Sequence, residues 1–282
     1  MMLDMLRNNF LEKGYVHVEC ILTNEDLLLL SRAHEQLLHE AQKILRNASQ
    51  KHCNLAEFYS KSQNDLIVVP ERDHPSEICR FEYIAGISED IKCFLDAKIK
   101  PMIDFIMQEP FVLFKDKCNE KAPGGGAFPP HQDFAAYKSF PPRFYITVMI
   151  PLDDSNLVNG CLQFAQKYQQ LAESHPEFVN AYFGRYPLLN YYDSGVDNGS
   201  IHNEIKSLLF WKPIPTKMKD IVIFDAFVPH CSEPNQSDTF RRAFFITYNA
   251  MKEGNWYDQY YITKRAAYDS PMFHVATPTR RK

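Results

Sequence analysis

Between residues 24 and 45, in NEDLLLLSRAHEQLLHEAQKIL, apolar side chains recur at helical spacing. Thr23 precedes them as an N-cap candidate, with acids in the first turn, so the pattern predicts a helix that begins there. A second helical period runs through SEDIKCFLDAKIKPMIDFIMQ, where Pro101 predicts a kink or break. Between the N-terminus and the first helix, GYVHVECI reads as a short extended piece. From residue 111 the texture changes. FVLFKDKCNEKA, RFYITVMIPLDD, GCLQFA, DIVIFDAFVPH and FRRAFFITYNA are rich in β-branched and aromatic residues and separated by turn formers, so each predicts a strand. Helices followed by many strands predict a mainly β fold with flanking helices, a β-sandwich or jelly roll in one domain. The expected division is a helical buttress over 1–110, a β core over 111–250 and a C-terminal tail over 251–282. Residues from about 168 to 210 have no clean period and many tyrosines, and are expected to be an insertion able to act as a lid.

Composition narrows the class. The chain has 282 residues, 45% of them hydrophobic, which is ample for a core. Its formal net charge of −4, with both signs mixed along the chain, excludes the basic footprint of a nucleic-acid binder. No apolar run approaches membrane-spanning length, and the first residues lack the apolar run of a signal peptide. The seven cysteines are odd in number and never spaced C-x-x-C, which argues for free thiols in a reducing compartment. The sequons at Asn47, Asn198 and Asn235 are then chance, and a soluble cytoplasmic protein acting on a small molecule is the expectation, its oligomeric state undetermined.

Two motifs are decoys. HEQLLH resembles the zinc-protease H-E-x-x-H, but His34 and His39 are five residues apart, about 140° around a helix, and cannot meet at one ion; both are expected at the surface. PGGG lacks the following G-K-[ST] of a phosphate loop and reads instead as a mobile rim.

The chemistry concentrates in FPPHQDFAAY. On a strand, His131 and Asp133 would share one face. His230 closes a later apolar strand, and Arg241 and Arg242 open the next. Two imidazoles and a carboxylate form the facial set that suits non-haem Fe(II), and an arginine nearby suits a distal carboxylate. Spacing alone leaves zinc open, although no separate general base is recognisable. The competing structural account is a satisfied core histidine, surface arginines and an exposed His–Asp pair. Gln132, Phe134, Tyr137 and Lys138 flank the ligand candidates and are expected to bind substrate; Lys138, Arg143 and Arg185 are cations able to receive a phosphonate or carboxylate, or solvated loop charges.

Taken together, PPHQDFAAY, NGCLQF, VPHCSEPNQSDTFRRAFFITYN and the early FLEKGYVHVECILTNEDL resemble the phytanoyl-CoA dioxygenase family of Fe(II)/2-oxoglutarate oxygenases, over nearly the whole chain. KAPGGGAFPPHQD, YITVMIPLDD and YYITKR are most similar to its 2-aminoethylphosphonate dioxygenase branch. The resemblance implies a double-stranded β-helix, a cupin-like jelly roll, with metal ligands His131, Asp133 and His230. It implies 2-oxoglutarate held by Arg241, with Ser232 and Lys121 beside it, and O2 as the oxidant. Asn159 and Gly160 match a structural turn. Lys219–Asp220 departs from the family's frequent Gly-Asp, which puts the local turn type in doubt. Because Asp133 is present, hydroxylation is implied rather than halogenation. The implied substrate is a small charged metabolite, an aminoalkylphosphonate first. An acyl-CoA, a secondary metabolite and a non-catalytic binding role are the alternatives.

Overall fold

The computed structural model describes residues 2–51, 53–61, 66–71 and 74–273. Its strands are β1 (Tyr15–Val18), β2 (Ile67–Pro70), β3 (Ile78–Glu82), β4 (Phe111–Lys121), β5 (Phe128–His131), β6 (Tyr145–Pro151), β7 (Leu162–Gln166), β8 (Val179–Phe183), β9 (Tyr186–Leu189), β10 (Phe210–Ile214), β11 (Ile221–Asp225), β12 (His230–Ser232) and β13 (Arg241–Ala250). Among the described residues they form an antiparallel seven-stranded sheet in the order β1-β11-β6-β13-β4-β3-β2. A four-stranded sheet, β10-β7-β12-β5, faces it, and β8 and β9 make a separate hairpin. This is the jelly-roll architecture.

Alternation along the strands builds both cores. Ala243 and Phe245 of β13, Met149 of β6, and Val222 and Phe224 of β11 point toward the small sheet and pack with Leu162, Phe164 and Ile214. Phe244, Ile246, Val148, Ile150, Ile221 and Ile223 point the other way and are covered by helices. Helix α1 (Met2–Lys13) and helix α2 (Asn24–Gln50) supply part of that cover. Thr23 caps α2 in a capping box: its hydroxyl accepts from the Asp26 N–H, and the Asp26 carboxylate accepts from the Thr23 N–H at 2.7 Å. The buried stripe of α2 is Leu30, Ala33, His34, Leu37, Ala41, Ile44 and Ala48.

Several expectations change here. Residues 1–110 are not only a helical buttress, because β2 and β3 lengthen the large sheet by pairing onto β4. The helix over 89–107 is interrupted ahead of Pro101: α-helix Glu89–Phe94 passes into a π turn, Leu95–Ile99, and resumes at Lys100 with the proline in its first turn, where a missing N–H costs little. His34 is not at the surface. It lies on the apolar stripe, 2% exposed, with its Nε2 2.6 Å from the Glu120 carboxylate. His39 is exposed. None of the described helices is long and apolar enough to cross a membrane.

Candidate metal and cosubstrate site

β5 is the edge of the small sheet, the position where Pro129 and Pro130 can sit without breaking a ladder. It ends at His131. Asp133 does not continue the strand, contrary to the alternation argument; it has helical dihedrals and opens the short helix Phe134–Tyr137. The turn, rather than strand alternation, brings its carboxylate back to His131. His230 likewise does not end the apolar strand β11. The chain leaves β11 at Asp225, whose carboxylate accepts from the N–H groups of Phe227 and Val228 (2.8 and 2.7 Å), and His230 begins β12 in the opposite sheet. There it lies directly across from His131.

The three side chains converge. The ring centroids are 4.3 Å apart, and the two Nε2 atoms lie 3.6 and 3.9 Å from Asp133 Oδ1. His131 Nδ1 is 2.7 Å from the Pro129 carbonyl and His230 Nδ1 is 3.1 Å from that of Val228. Each carbonyl can take the Nδ1 proton, which leaves both Nε2 lone pairs free toward Asp133. Burial pushes His131 down to about 3 and lowers His230 as well, so both rings are neutral near pH 7. Burial would raise Asp133, but the Lys117 ammonium and the two imidazoles beside it outweigh that and hold the carboxyl below its ordinary value. Two neutral nitrogens and one ionised oxygen on one side of a point are the donor set for Fe(II) with three adjacent open positions.

Arg241 fits the other half of the expectation. It lines the same cavity, is 2% exposed, and its Nε and Nη1 have no hydrogen-bond partner among the described residues. Burial pulls it down to about 10, which still leaves it cationic. A buried guanidinium with free N–H groups is the complement of a carboxylate. Arg242, one residue on, faces away and forks onto Asp153 at 2.7 and 2.8 Å. Lys121 Nζ reaches Ser232 Oγ at 2.8 Å and the Glu233 carbonyl at 2.5 Å, which ties β4 to β12 beside Arg241. This contact depends on the Asn159–Gly160 turn. Gly160 has φ +75°, and a Cβ there would lie 2.2 Å from the Glu233 carbonyl oxygen.

The expected substrate contacts are placed elsewhere. Gln132 is buried and donates to the carbonyls of Pro187 (2.8 Å) and Phe227 while accepting from the Leu189 N–H (2.7 Å), so its amide is spent on scaffold. Phe134 packs against Phe183 and Phe227 in the core. Tyr137 is buried against Phe114 and Tyr145. Lys138 is exposed and donates to the Tyr191 hydroxyl. Arg143 and Arg185 are exposed too. A residue beside a ligand in sequence need not share its cavity when the chain turns at the ligand.

The cavity contains residues that the motif reading passed over: Lys117, Asn119, Phe128, Leu162 and Phe245. The signal for two of them was present. On β4, Lys115, Lys117, Asn119 and Lys121 occupy alternate positions, so one face of a mostly buried strand is polar throughout.

The fold and this donor set define the non-haem iron jelly-roll class. The family model described as phytanoyl-CoA dioxygenase (PhyH) matches residues 10–243, and the chain belongs to that family. Over 191 residues, 67% of the chain, it is 37% identical to a 2-aminoethylphosphonate dioxygenase of an uncultured bacterium. Over 190 residues it is 34% identical to a methylphosphonate hydroxylase of Gimesia maris. The chain covers 65% of the length of each, just under two thirds. Among solved structures, EctD from S. alaskensis with 2-oxoglutarate and 5-hydroxyectoine superposes with TM-score 0.61 at 17% identity, covering 88% of this chain and 76% of that one. The epimerase SnoN in complex with Fe3+, alpha ketoglutarate and nogalamycin RO gives 0.61 at 17% identity over 88% and 84%. At such identities these likenesses speak for the fold.

Proposed function

We propose that the protein is an Fe(II)- and 2-oxoglutarate-dependent dioxygenase that hydroxylates an unactivated C–H bond of a small charged metabolite, with 2-aminoethylphosphonate the leading candidate. The observation that carries it is a single cavity holding both the His131–Asp133–His230 set and a guanidinium, Arg241, with unspent N–H donors. Iron and 2-oxoglutarate, when bound, supply the oxidative decarboxylation that places one atom of O2 in succinate and the other on the substrate. The residues supply the rest. His131 and His230 present neutral Nε2 atoms already oriented by carbonyls. Arg241 would receive the far carboxylate of the cosubstrate on its unspent N–H groups, and Lys121 and Ser232 keep β12 and β4 together around it. Leu162 and Phe245 line the cavity with apolar surface that limits water. The two phosphonate-directed relatives support the substrate class.

The test is succinate release with Fe(II), ascorbate and O2, with and without each member of a panel containing 2-aminoethylphosphonate, methylphosphonate, acyl-CoA thioesters and amino acids. Stimulation by an aminoalkylphosphonate, with a hydroxylated product, is the expected result. Stimulation by none of the panel would leave a binding protein on the same fold as the better account.

A further inference from the structure

On the inner face of β3 and β4, positive charge exceeds negative. Glu82 is completely buried and is approached by three cations: Lys264 Nζ at 2.6 Å, Arg80 Nε at 2.9 Å and Lys115 Nζ at 3.8 Å. Lys117, two residues along from Lys115 and across from Glu82 in the ladder, has no carboxylate of its own. Its ammonium lies 5.3 Å from the Phe245 ring centroid, and no hydrogen bond or ion pair ties it down among the described residues. It lines the cavity of the metal-binding set. Arg80, Lys115, Lys117 and Lys264 therefore face two carboxylates, Glu82 and Asp133, and Asp133 is committed to the metal. Gathering cations out of water around so few acids is costly unless an anion completes the set.

Position separates this surplus from the cosubstrate arginine. Arg241 pairs with Lys121 in the β4–β13 ladder and Phe245 pairs with Lys117. Lys117 thus stands four residues farther along than Arg241, about 13 Å of strand. One carboxylate cannot reach both. Arg241 and Lys117 bracket the metal-binding set from opposite ends of one cavity.

We propose that Lys117, backed by Lys115, is the recognition site for the doubly charged head of the substrate, a phosphonate dianion, at the end of the cavity opposite Arg241. This rests on the dioxygenase reading and names the side chain that sets its substrate class. Once Glu82 is counted against the four cations the surplus is three, so a doubly charged anion offsets more of it than a monocarboxylate does, and a neutral substrate would leave Lys117 uncompensated.

The experiment uses wild type, Lys117→Met and Lys117→Arg, each checked for thermal melting and for the visible charge-transfer band that Fe(II) and 2-oxoglutarate give together without oxygen. Methylphosphonate and 2-aminoethylphosphonate are then titrated calorimetrically into the oxygen-free loaded proteins, and succinate release is measured in parallel. The expected result is that Lys117→Met keeps the band and the 2-oxoglutarate KM, weakens phosphonate binding by about tenfold or more, and that Lys117→Arg recovers part of the loss. Phosphonate binding and KM equal to wild type in Lys117→Met would overturn the assignment, and so would a loss confined to 2-oxoglutarate. If phosphonate turns over in wild type and in Lys117→Met alike, the enzyme reading stands and Lys117 falls. If phosphonate binds through Lys117 but no succinate follows, the assignment stands and the enzyme reading falls. Wild type that neither binds nor turns over phosphonate removes the Lys117 assignment and the phosphonate substrate together, and leaves the dioxygenase reading to the rest of the panel. Should Lys117→Met fail to fold, Lys117→Gln, which keeps length and polarity, carries the same comparison.

Discussion

The His34 imidazole lies 2.6 Å from the Glu120 carboxylate, both nearly sealed from solvent, and the pair joins helix α2 to strand β4. The Cys118 thiol donates to the same carboxylate at 3.3 Å. Removing one partner of such a pair strands a buried charge. His34→Ala should therefore cost about 3–5 kcal/mol of stability, read from urea unfolding, with the double variant His34→Ala/Glu120→Ala losing less than the sum of the singles. A loss below about 1 kcal/mol for His34→Ala would show that the contact is incidental.

Arg241 and Arg242 are adjacent but should respond in opposite ways. Arg241→Met should raise the 2-oxoglutarate KM roughly ten- to a hundredfold, as expected for charged hydrogen bonds lost in a dry site. Arg242→Met should leave that KM alone and cost at most about 1 kcal/mol, because its Asp153 fork is partly solvated. Steady-state kinetics on the pair decides it; equal effects would contradict the strand alternation that separates them.

Each of His131→Ala, Asp133→Ala and His230→Ala should abolish turnover and lower iron occupancy while leaving the far-ultraviolet spectrum unchanged. Metal content after reconstitution and succinate release are the measurements. Full activity in any one variant would remove that residue from the ligand set.

Burial raises Asp225 to about 7 even though two backbone N–H groups donate to it. A carboxyl with a raised folded pKa binds more protons folded than unfolded, so its contribution is complete below the unfolded value of about 4 and is lost as pH rises through 7. Between pH 5 and pH 7.5 the Asp225 share of the urea midpoint should fall, against the opposite contribution of the lowered His131 and His230, so it is read as the difference between wild type and Asp225→Asn. Asp225→Asn keeps an acceptor for the Phe227 and Val228 N–H groups and should flatten that fall. An unchanged slope in the variant would assign it to another group.

Gly160→Ala combines a left-handed φ with a clash against the Glu233 carbonyl, so it should cost about 1–3 kcal/mol. It should also raise the 2-oxoglutarate KM, since Glu233 is where Lys121 anchors. Normal stability with normal KM would mean that the turn yields more freely than its geometry implies.

The strands of the β core were legible because β4, β6 and β13 run seven to eleven residues and β11, though five, is apolar almost throughout and bounded by turns. The candidate set could be picked out because His131, Asp133, His230 and Arg241 are chemically distinctive, and the structure brings them to one cavity. β2 and β3 were not, since four or five residues carry too little period to be seen between helices. Asp133 reached the right place by another route, a helical turn in place of a pleat, which motif spacing cannot distinguish. His34 was misplaced because the decoy motif drew attention to its distance from His39, whereas Leu30 and Leu37, four before it and three after it, already marked the apolar side of α2. Gln132 and Phe134 were chosen by sequence proximity alone, and the structure packs both into the scaffold. Lys117 went unnoticed because a lysine in a strand reads as solvated until the neighbouring strands are known.

Gln132 stands between two candidate ligands, and its one amide group holds three pieces of backbone: the chain before His230 at Phe227, and the insertion at Pro187 and Leu189. Lifting the β8–β9 hairpin would therefore tug on the backbone between His131 and Asp133. Any breathing that admits a reactant without disturbing iron must hinge outside that stitch, where the Lys138–Tyr191 clasp at the solvent boundary is the cheaper latch to undo.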